Sequence, residues 1–142
     1  MCKACEIGKI VVNKCLSRKL FINTQKLQKL LVLMDIECIS HTGHTLFDED
    51  VRIWNCGVAI KEVDVSFRQY ALSFNEPQIE YIALLDSEHK IIDEVLSDFG
   101  ELDALEINNL EIIQKMINKF KSKNQTHISK QERLQEFMPN DN

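Results

Sequence analysis

Turn-forming residues are scarce in this sequence: four glycines and two prolines in 142 residues. An all-β fold needs many tight turns built from those residues, so their scarcity argues against a sandwich or barrel and predicts a helix-rich chain. Long apolar runs are also missing. The longest, such as Leu30 to Met34, fall far short of the roughly 20 residues that span a bilayer, and the opening MCKACEIGKI lacks the apolar stretch of a secretory signal. These absences predict a cytoplasmic protein with no membrane association. The five cysteines (Cys2, Cys5, Cys15, Cys38 and Cys56) form an odd set without the regular framework of a small secreted domain, so free thiols and no structural disulfide are expected. There is no GxGxxG or GxxxxGK[ST] loop to cradle phosphate and no HExxH helix to carry a catalytic metal. The sequence predicts neither a cofactor nor an enzyme.

What the chain does contain is ordinary globular composition with an unusual arrangement of charge. Apolar residues make up 44% and charged residues 27%, and a body of roughly 120 residues can bury one core. The net charge of -5 conceals four blocks. Residues 1 to 30 carry seven basic residues and one acid; residues 31 to 85 carry three basic and nine acidic. Residues 86 to 111 carry nine acids against Lys90 alone, and residues 112 to 142 return to six basic and three acidic. Such asymmetry either leaves an acidic flank free to steer a basic partner or is neutralised where oppositely charged helices meet.

Apolar spacing places the elements. Ile7, Ile10, Val11, Cys15 and Leu16 form the stripe of a first helix over residues 6 to 19. Asn23 or Thr24 caps a second, in which Leu27, Leu30, Leu31 and Met34 repeat at helical steps to about residue 38. Between Gly43 and Gly57, Leu46-Phe47 and Ile53-Trp54 flank Asp48-Glu49-Asp50, which fits a loop with one short hairpin. Val63, Phe67, Tyr70, Ala71 and Phe74 resume helical spacing, and Pro77 is placed to start a helix carrying Ile79, Ile82 and Leu85. Ser87 caps the next helix, with Ile91, Ile92, Val95, Leu96 and Phe99 inward and Gly100 as its stop. Asp103 and Glu106 form a capping box for a last helix through Leu110, Ile113, Ile117 and Phe120. The expected fold is mainly α: a compact bundle of about six helices with one short β-hairpin or loop insertion near residues 43–58. Residues 1–120 make a single domain, and 121–142 a polar C-terminal tail or frayed helix.

Three chemical readings compete with a plain scaffold. The Cys2/Cys5 pair and the Cys38, His41 and His44 series carry zinc-type ligands, but they do not close a four-ligand set, so no metal is assigned. No sequence feature brings a histidine to a particular thiol, which leaves no nucleophilic cysteine, and no catalytic residue is assigned. Lys9, Lys14, Arg18, Lys26 and Lys29 offer a basic surface that could neutralise phosphates.

Three stretches, TQKLQKLLVLMD (24–35), GHTLFDEDVRIWNCG (43–57) and SEHKIIDEVLSDFGELDALEI (87–107), together resemble the Panacea domain, the SocA-like antitoxin family. KLQKLL matches the family's first signature, LFDEDV and Trp54 fall in register with the second, and Gly57 takes the place of its glycine. Val58 stands where the family usually has proline, Cys56 where an aromatic residue is common, and Asn108-Asn109-Leu110-Glu111 where a threonine-histidine stretch is usual.

The resemblance implies a bacterial or phage protein that neutralises a toxin by direct binding or delivers it to a protease, without chemistry of its own. Two other functions are carried forward. One is a phage-type inhibitor that lays its acidic flank on a host nucleic-acid-acting protein; the other is a nucleic-acid-binding regulator acting through the basic N-terminal helices. The candidate partner-binding residues are Lys26 and Gln28, which fall off the apolar stripe, Phe47 and Trp54, and the acidic Glu88, Asp98 and Glu101. Trp54 reads either as a core anchor or as an exposed hot spot.

Overall fold

A computed structural model describes residues 1–139. Seven helices and three short strands follow one another: α1 (Lys3–Ser17), α2 (Thr24–Thr42), β1 (Val51–Trp54), β2 (Gly57–Ala59), α3 (Lys61–Ser66), α4 (Asp86–Phe99), α5 (Ala104–Asn108), α6 (Glu111–Lys121), β3 (His127–Ile128) and α7 (Lys130–Phe137). A 3-10 turn at Arg68–Tyr70 follows α3. Mainly helical architecture with a small β insertion is what the turn-poor composition predicts.

The centre of the fold is α2. Asn23 caps it, its Oδ1 accepting from the Lys26 amide at 2.9 Å, and Gly43 ends it at φ +80, a left-handed conformation that glycine adopts without penalty. Apart from a few positions it is buried on every face from Thr24 to Ile39, the arrangement of a helix wrapped by the rest of the domain. Helix α1 lays Ala4, Ile7, Val11 and Cys15 against it, while α4 supplies Ile92, Val95 and Leu96 and α6 supplies Ile113, Met116 and Phe120 to the same core.

The hairpin lies inside the stretch where the sequence placed it. Strands β1 and β2 pair antiparallel with Trp54 opposite Gly57, and β3 adds to the other edge of β1, giving the order β2-β1-β3. Gly57 holds φ +108, and a Cβ there would collide with the Asn108 side chain. That side chain is needed in place, because Asn108 Oδ1 accepts from the Val58 amide at 2.9 Å. The asparagine that departs from the family pattern thus pins the hairpin to α5.

Several expectations are corrected. The spacing from Val63 to Phe74 yields only α3 and the 3-10 turn. Phe74 then folds back to stack on Tyr70, with ring centres 4.2 Å apart, and to meet Phe67 edge-on at 5.5 Å. Pro77 starts no helix: residues 71–85 run irregular and largely extended, tied to α1 through Asn13, whose Oδ1 accepts from the Gln78 amide and whose Nδ2 donates to the Gln78 carbonyl. Ser87 sits within α4 rather than capping it. Leu85 occupies the cap position, and Glu88 Oε1 accepts from its amide at 2.9 Å. The Asp103–Glu106 capping box forms, but the helix it opens breaks at Asn109, and α6 starts anew after Leu110. Residues 127–137, expected as a polar tail or frayed helix, form a strand and a capped helix. Strand β3 joins the sheet, and a second capping box, Ser129 with Glu132, starts α7. The last residues of the expected tail, 140–142, lie outside the described part.

The expectation of no structural disulfide also fails, although three of the five cysteines are free thiols. Cys2 and Cys5 are joined in a disulfide. Cys2 is the N-cap of α1 and Cys5 its third residue, so the two face each other across one helical turn, with Cα atoms 5.2 Å apart. Cys15 and Cys38 are buried thiols, and Cys56 is an exposed one. Burial pushes the Cys15 thiol up to about 11, which makes it inert.

Candidate partner-binding surface

The polar residues of α2 were expected to face a partner. They face inward instead. Lys26 Nζ donates to the carbonyls of Phe21 (2.8 Å) and Gly100 (2.5 Å), tying the start of α2 to the end of α4. Gln28 is wholly buried: its Nε2 donates to the Thr24 carbonyl and to Asp64, and its Oε1 accepts from the Ile60 amide at 3.0 Å. Lys29 Nζ reaches the Val58 carbonyl at 2.8 Å. Burial lowers the pKa of both lysines. In an all-round buried helix a polar side chain has no route to water, so each one satisfies a backbone group of a neighbouring element.

The same logic reaches its limit at Asp35, buried on α2 with no exposed surface. Its Oδ1 accepts from the Leu46 amide at 2.7 Å, and its Oδ2 accepts from Arg133 Nε at 2.7 Å. Arg133, equally buried, donates to the carbonyls of Ile128 and Phe47, and its guanidinium lies 5.1 Å from the centre of the Phe47 ring. Removal from water pushes the Asp35 carboxyl up, against the pull of Arg133 and the hydrogen bonds it accepts. Phe47 is therefore a core residue under a buried ion pair and unavailable to a partner. Neither Asp35 nor Arg133 was singled out from the sequence. The capping box Ser129-x-x-Glu132 just before Arg133 was the signal that α7 is a real helix.

Of the remaining candidates, Glu88 is buried as a capping residue, while Asp98 and Glu101 are exposed. Trp54, at the β1–β2 turn, is 37% exposed, which corrects its reading as a core anchor and leaves it on the surface. The basic residues proposed for phosphate contacts are all engaged within the chain: Lys9 with Glu6, Lys14 and Arg18 with Asp93, and Lys26 and Lys29 in the interior. The charge asymmetry is neutralised in part: Asp93 on α4 pairs with Lys14 and Arg18 of α1, and the basic C-terminal segment pairs with the acidic middle through Arg133–Asp35 and Lys130–Asp48.

What stays open is a shallow trough along α4. One part, of about 510 Å³, is lined by Arg18, Asp86, His89, Asp93, Glu94 and Asp98. The next, of about 400 Å³, shares Arg18, His89 and Asp93 and continues over α1 to Asn13 and Glu80. Five carboxylates line the two parts together, against the cations Lys14, Arg18 and Lys90, and Asp93 is paired with the first two of these. On either side of Glu80 the extended segment exposes Ile79 and Tyr81, and Lys9 Nζ sits 4.8 Å from the Tyr81 ring centre. Exposed apolar side chains beside an acidic groove make the combination of apolar contact and complementary charge that protein interfaces use.

Comparison with known sequences places the chain. The family described as Antitoxin SocA-like, Panacea domain, matches residues 27–133, about three-quarters of the chain. The chain belongs to this family. The match runs from Leu27 on α2 to Arg133 on α7, so the Panacea domain includes the β3–α7 segment that the sequence reading had set outside the fold. No curated protein and no solved structure matches the chain. The family points to a role connected with toxin–antitoxin systems and to a protein partner in general. Among the described residues, no helix of this Panacea protein is long and apolar enough to cross a membrane, and no group of three His, Cys, Asp or Glu side chains is placed to hold a metal ion. Cys38 Sγ lies 3.9 Å from His44 Nδ1, but His41 turns away to the Glu37 carbonyl.

Proposed function

We propose that this protein is a non-enzymatic antitoxin-like binding module that neutralises a protein toxin, either by covering it or by presenting it to a protease. The observation that supports the reading most is the acidic trough along α4 in a chain of this family. Its carboxylates at Asp86, Glu94 and Asp98 are free of ion pairs among the described residues, and Ile79 and Tyr81 offer apolar contact next to it. A toxin with a basic active face would be drawn to the trough by long-range attraction and held by the apolar contacts. The cytoplasm is the compartment where such a partner would be met.

The test is co-purification with the product of the neighbouring gene, followed by association kinetics. Reversing Glu94, Asp98 and Glu101 to lysine should slow association and flatten its salt dependence while the helix content holds. An unchanged rate and salt slope in the folded triple variant would move the contact away from α4. Capture of a nuclease or polymerase in place of a toxin would favour a phage-type inhibitor that uses the same acidic face. A nucleic-acid-binding regulator lacks support here, because its basic residues are spent inside the chain.

A further inference from the structure

The disulfide stands beside a cavity that the partner-binding reading does not use. Cys2, Arg52, Lys61, Glu62, Val65 and Ser66 line an open space of about 460 Å³ between the start of α1, strand β1 and helix α3, a volume suited to a small ligand. Arg52 Nε and Glu62 Oε1 are both shut off from water and have no hydrogen-bond partner among the described residues. Those two atoms are closed to the cavity as well as to water, but both side chains are only half-buried, and it is their remaining polar atoms that line the space. Every buried polar group of α2 described above is satisfied by a backbone or side-chain partner. These two lack one, and Lys61 stands exposed beside them.

The two sulfurs differ in access. Cys2 is half-buried and lines the cavity; Cys5 is buried at 6% exposure, with its sulfur 3.4 Å from Ser66 Oγ. The Cys5 amide donates to Cys2 Sγ at 3.1 Å. An incoming thiolate therefore meets Cys2 first, with two cations at hand to attract it and its carboxylates.

We propose that this cavity binds a small zwitterionic thiol of the glutathione class, which exchanges disulfide with the protein at Cys2. The charge set fits that class. Arg52 and Lys61 match two carboxylates, and Glu62 matches one ammonium. In the exchange, the ligand's thiolate sulfur forms a bond to Cys2 Sγ as the Cys2–Cys5 bond breaks. Cys5 leaves as a thiolate and takes a proton from solvent, beside the Ser66 hydroxyl. One disulfide is consumed and one formed, so no external oxidant is needed. Attack by Cys5 on the mixed disulfide reverses the step and releases the ligand.

The experiment uses the full chain with Cys56→Ser, which removes the exposed competing thiol. Oxidised protein is mixed with reduced glutathione or with uncharged 2-mercaptoethanol and quenched with an alkylating reagent. Intact mass then counts chains that carry one thiol adduct, and peptide mapping after cleavage at Lys3, which separates Cys2 from Cys5, shows which sulfur holds it. After correction for each reagent's thiolate fraction, glutathione is expected to open the disulfide roughly tenfold faster, as one or two charge-assisted contacts would give. Arg52→Gln and Glu62→Gln should each slow glutathione severalfold and leave 2-mercaptoethanol unchanged. Equal corrected rates for the two thiols, or variants that slow both equally, would overturn the proposal. So would glutathione attached to Cys5 in place of Cys2. Because wild-type and variant chains are compared on the same neutral thiol, a general loosening of the fold registers as a change in both reagents.

Discussion

Helices α2 and α4 both carry many charged residues, and the fold uses them in opposite ways. On α2 the charges at Lys26, Lys29 and Asp35 are buried, each bonded to a neighbouring element. On α4 the charges at Asp86, Glu94 and Asp98 are exposed and unbonded. The difference follows from the apolar pattern. Helix α4 has one apolar stripe and an open polar face, so its acids reach water. Helix α2 is covered on nearly every face up to Ile39, so the charges at Lys26, Lys29 and Asp35 are internal, and only Glu37 reaches the surface, where it meets His41. Charge on α2 specifies how the pieces fit, whereas charge on α4 is available to something outside.

The sharpest way to break that comparison is at the buried pair. Arg133→Ala leaves the Asp35 carboxylate buried without its counter-charge and should cost about 3–5 kcal/mol in denaturant melts. Asp98→Lys on α4 should stay within about 0.5 kcal/mol of wild type. Replacing both partners, Asp35→Leu with Arg133→Met, should recover much of the loss. If Arg133→Ala melts like wild type, α7 is not part of the cooperative unit.

A smaller effect is expected at Lys29. Lys29→Met keeps the aliphatic stem but leaves the Val58 carbonyl without its donor, a loss of about 1–3 kcal/mol. Hydrogen exchange should then quicken in β2 before it does in α4.

Along α4 and just past its end, position decides. Glu88→Lys removes a capping carboxylate and places a cation at a helix N-terminus, which should cost about 1 kcal/mol. Asp98→Lys and Glu101→Lys should cost a few tenths of that or nothing. Equal losses at all three would mean that the cap contributes no more than a surface charge.

The smallest expected effect is acid sensitivity at α7. A hydrogen bond from Lys130 holds Asp48 below the usual carboxylate range, and hydrogen bonds from Ser129 and Gln125 do the same for Glu132. A carboxyl lowered in the folded state adds stability above its ordinary value, and that stability is lost as pH falls through the lowered value. Below about pH 4, amide exchange in α7 should rise ahead of that in α2. Asp48 is exposed and Glu132 half-buried, so solvent screening keeps the change modest.

Much of this fold was legible in the sequence. The stripes of α1, α2 and α4, the hairpin turning between Trp54 and Gly57 and the Asp103 capping box are local patterns, and local patterns are what periodicity and capping report. The family signature KLQKLL is legible too, but its polar positions read as surface from spacing alone, whereas Lys26, Gln28 and Lys29 are buried. A single helix cannot reveal that three other elements will close over its polar side. Arg133 was missed for the same reason. Its partner lies 98 residues away, and nothing near it in the chain distinguishes it from the solvated cations around it. The break between α5 and α6 and the extended course of residues 71–85 depend on tertiary contacts, such as Asn108 with Val58 and Asn13 with Gln78, which no local spacing encodes. The acidic block was visible as composition; the trough it lines was not.

The Asp35–Arg133 pair also has a consequence for synthesis. A ribosome delivers Asp35 about a hundred residues before Arg133, so for most of translation the central helix carries a carboxylate that cannot be buried without its counter-charge. The nascent chain has every reason to keep that helix loosely packed until its final stretch emerges, when one guanidinium closes α2, the Phe47 loop and β3 together. A chain that stops before Arg133 would leave the Asp35 carboxylate without its counter-charge, so closure of the centre waits on a segment made about a hundred residues later.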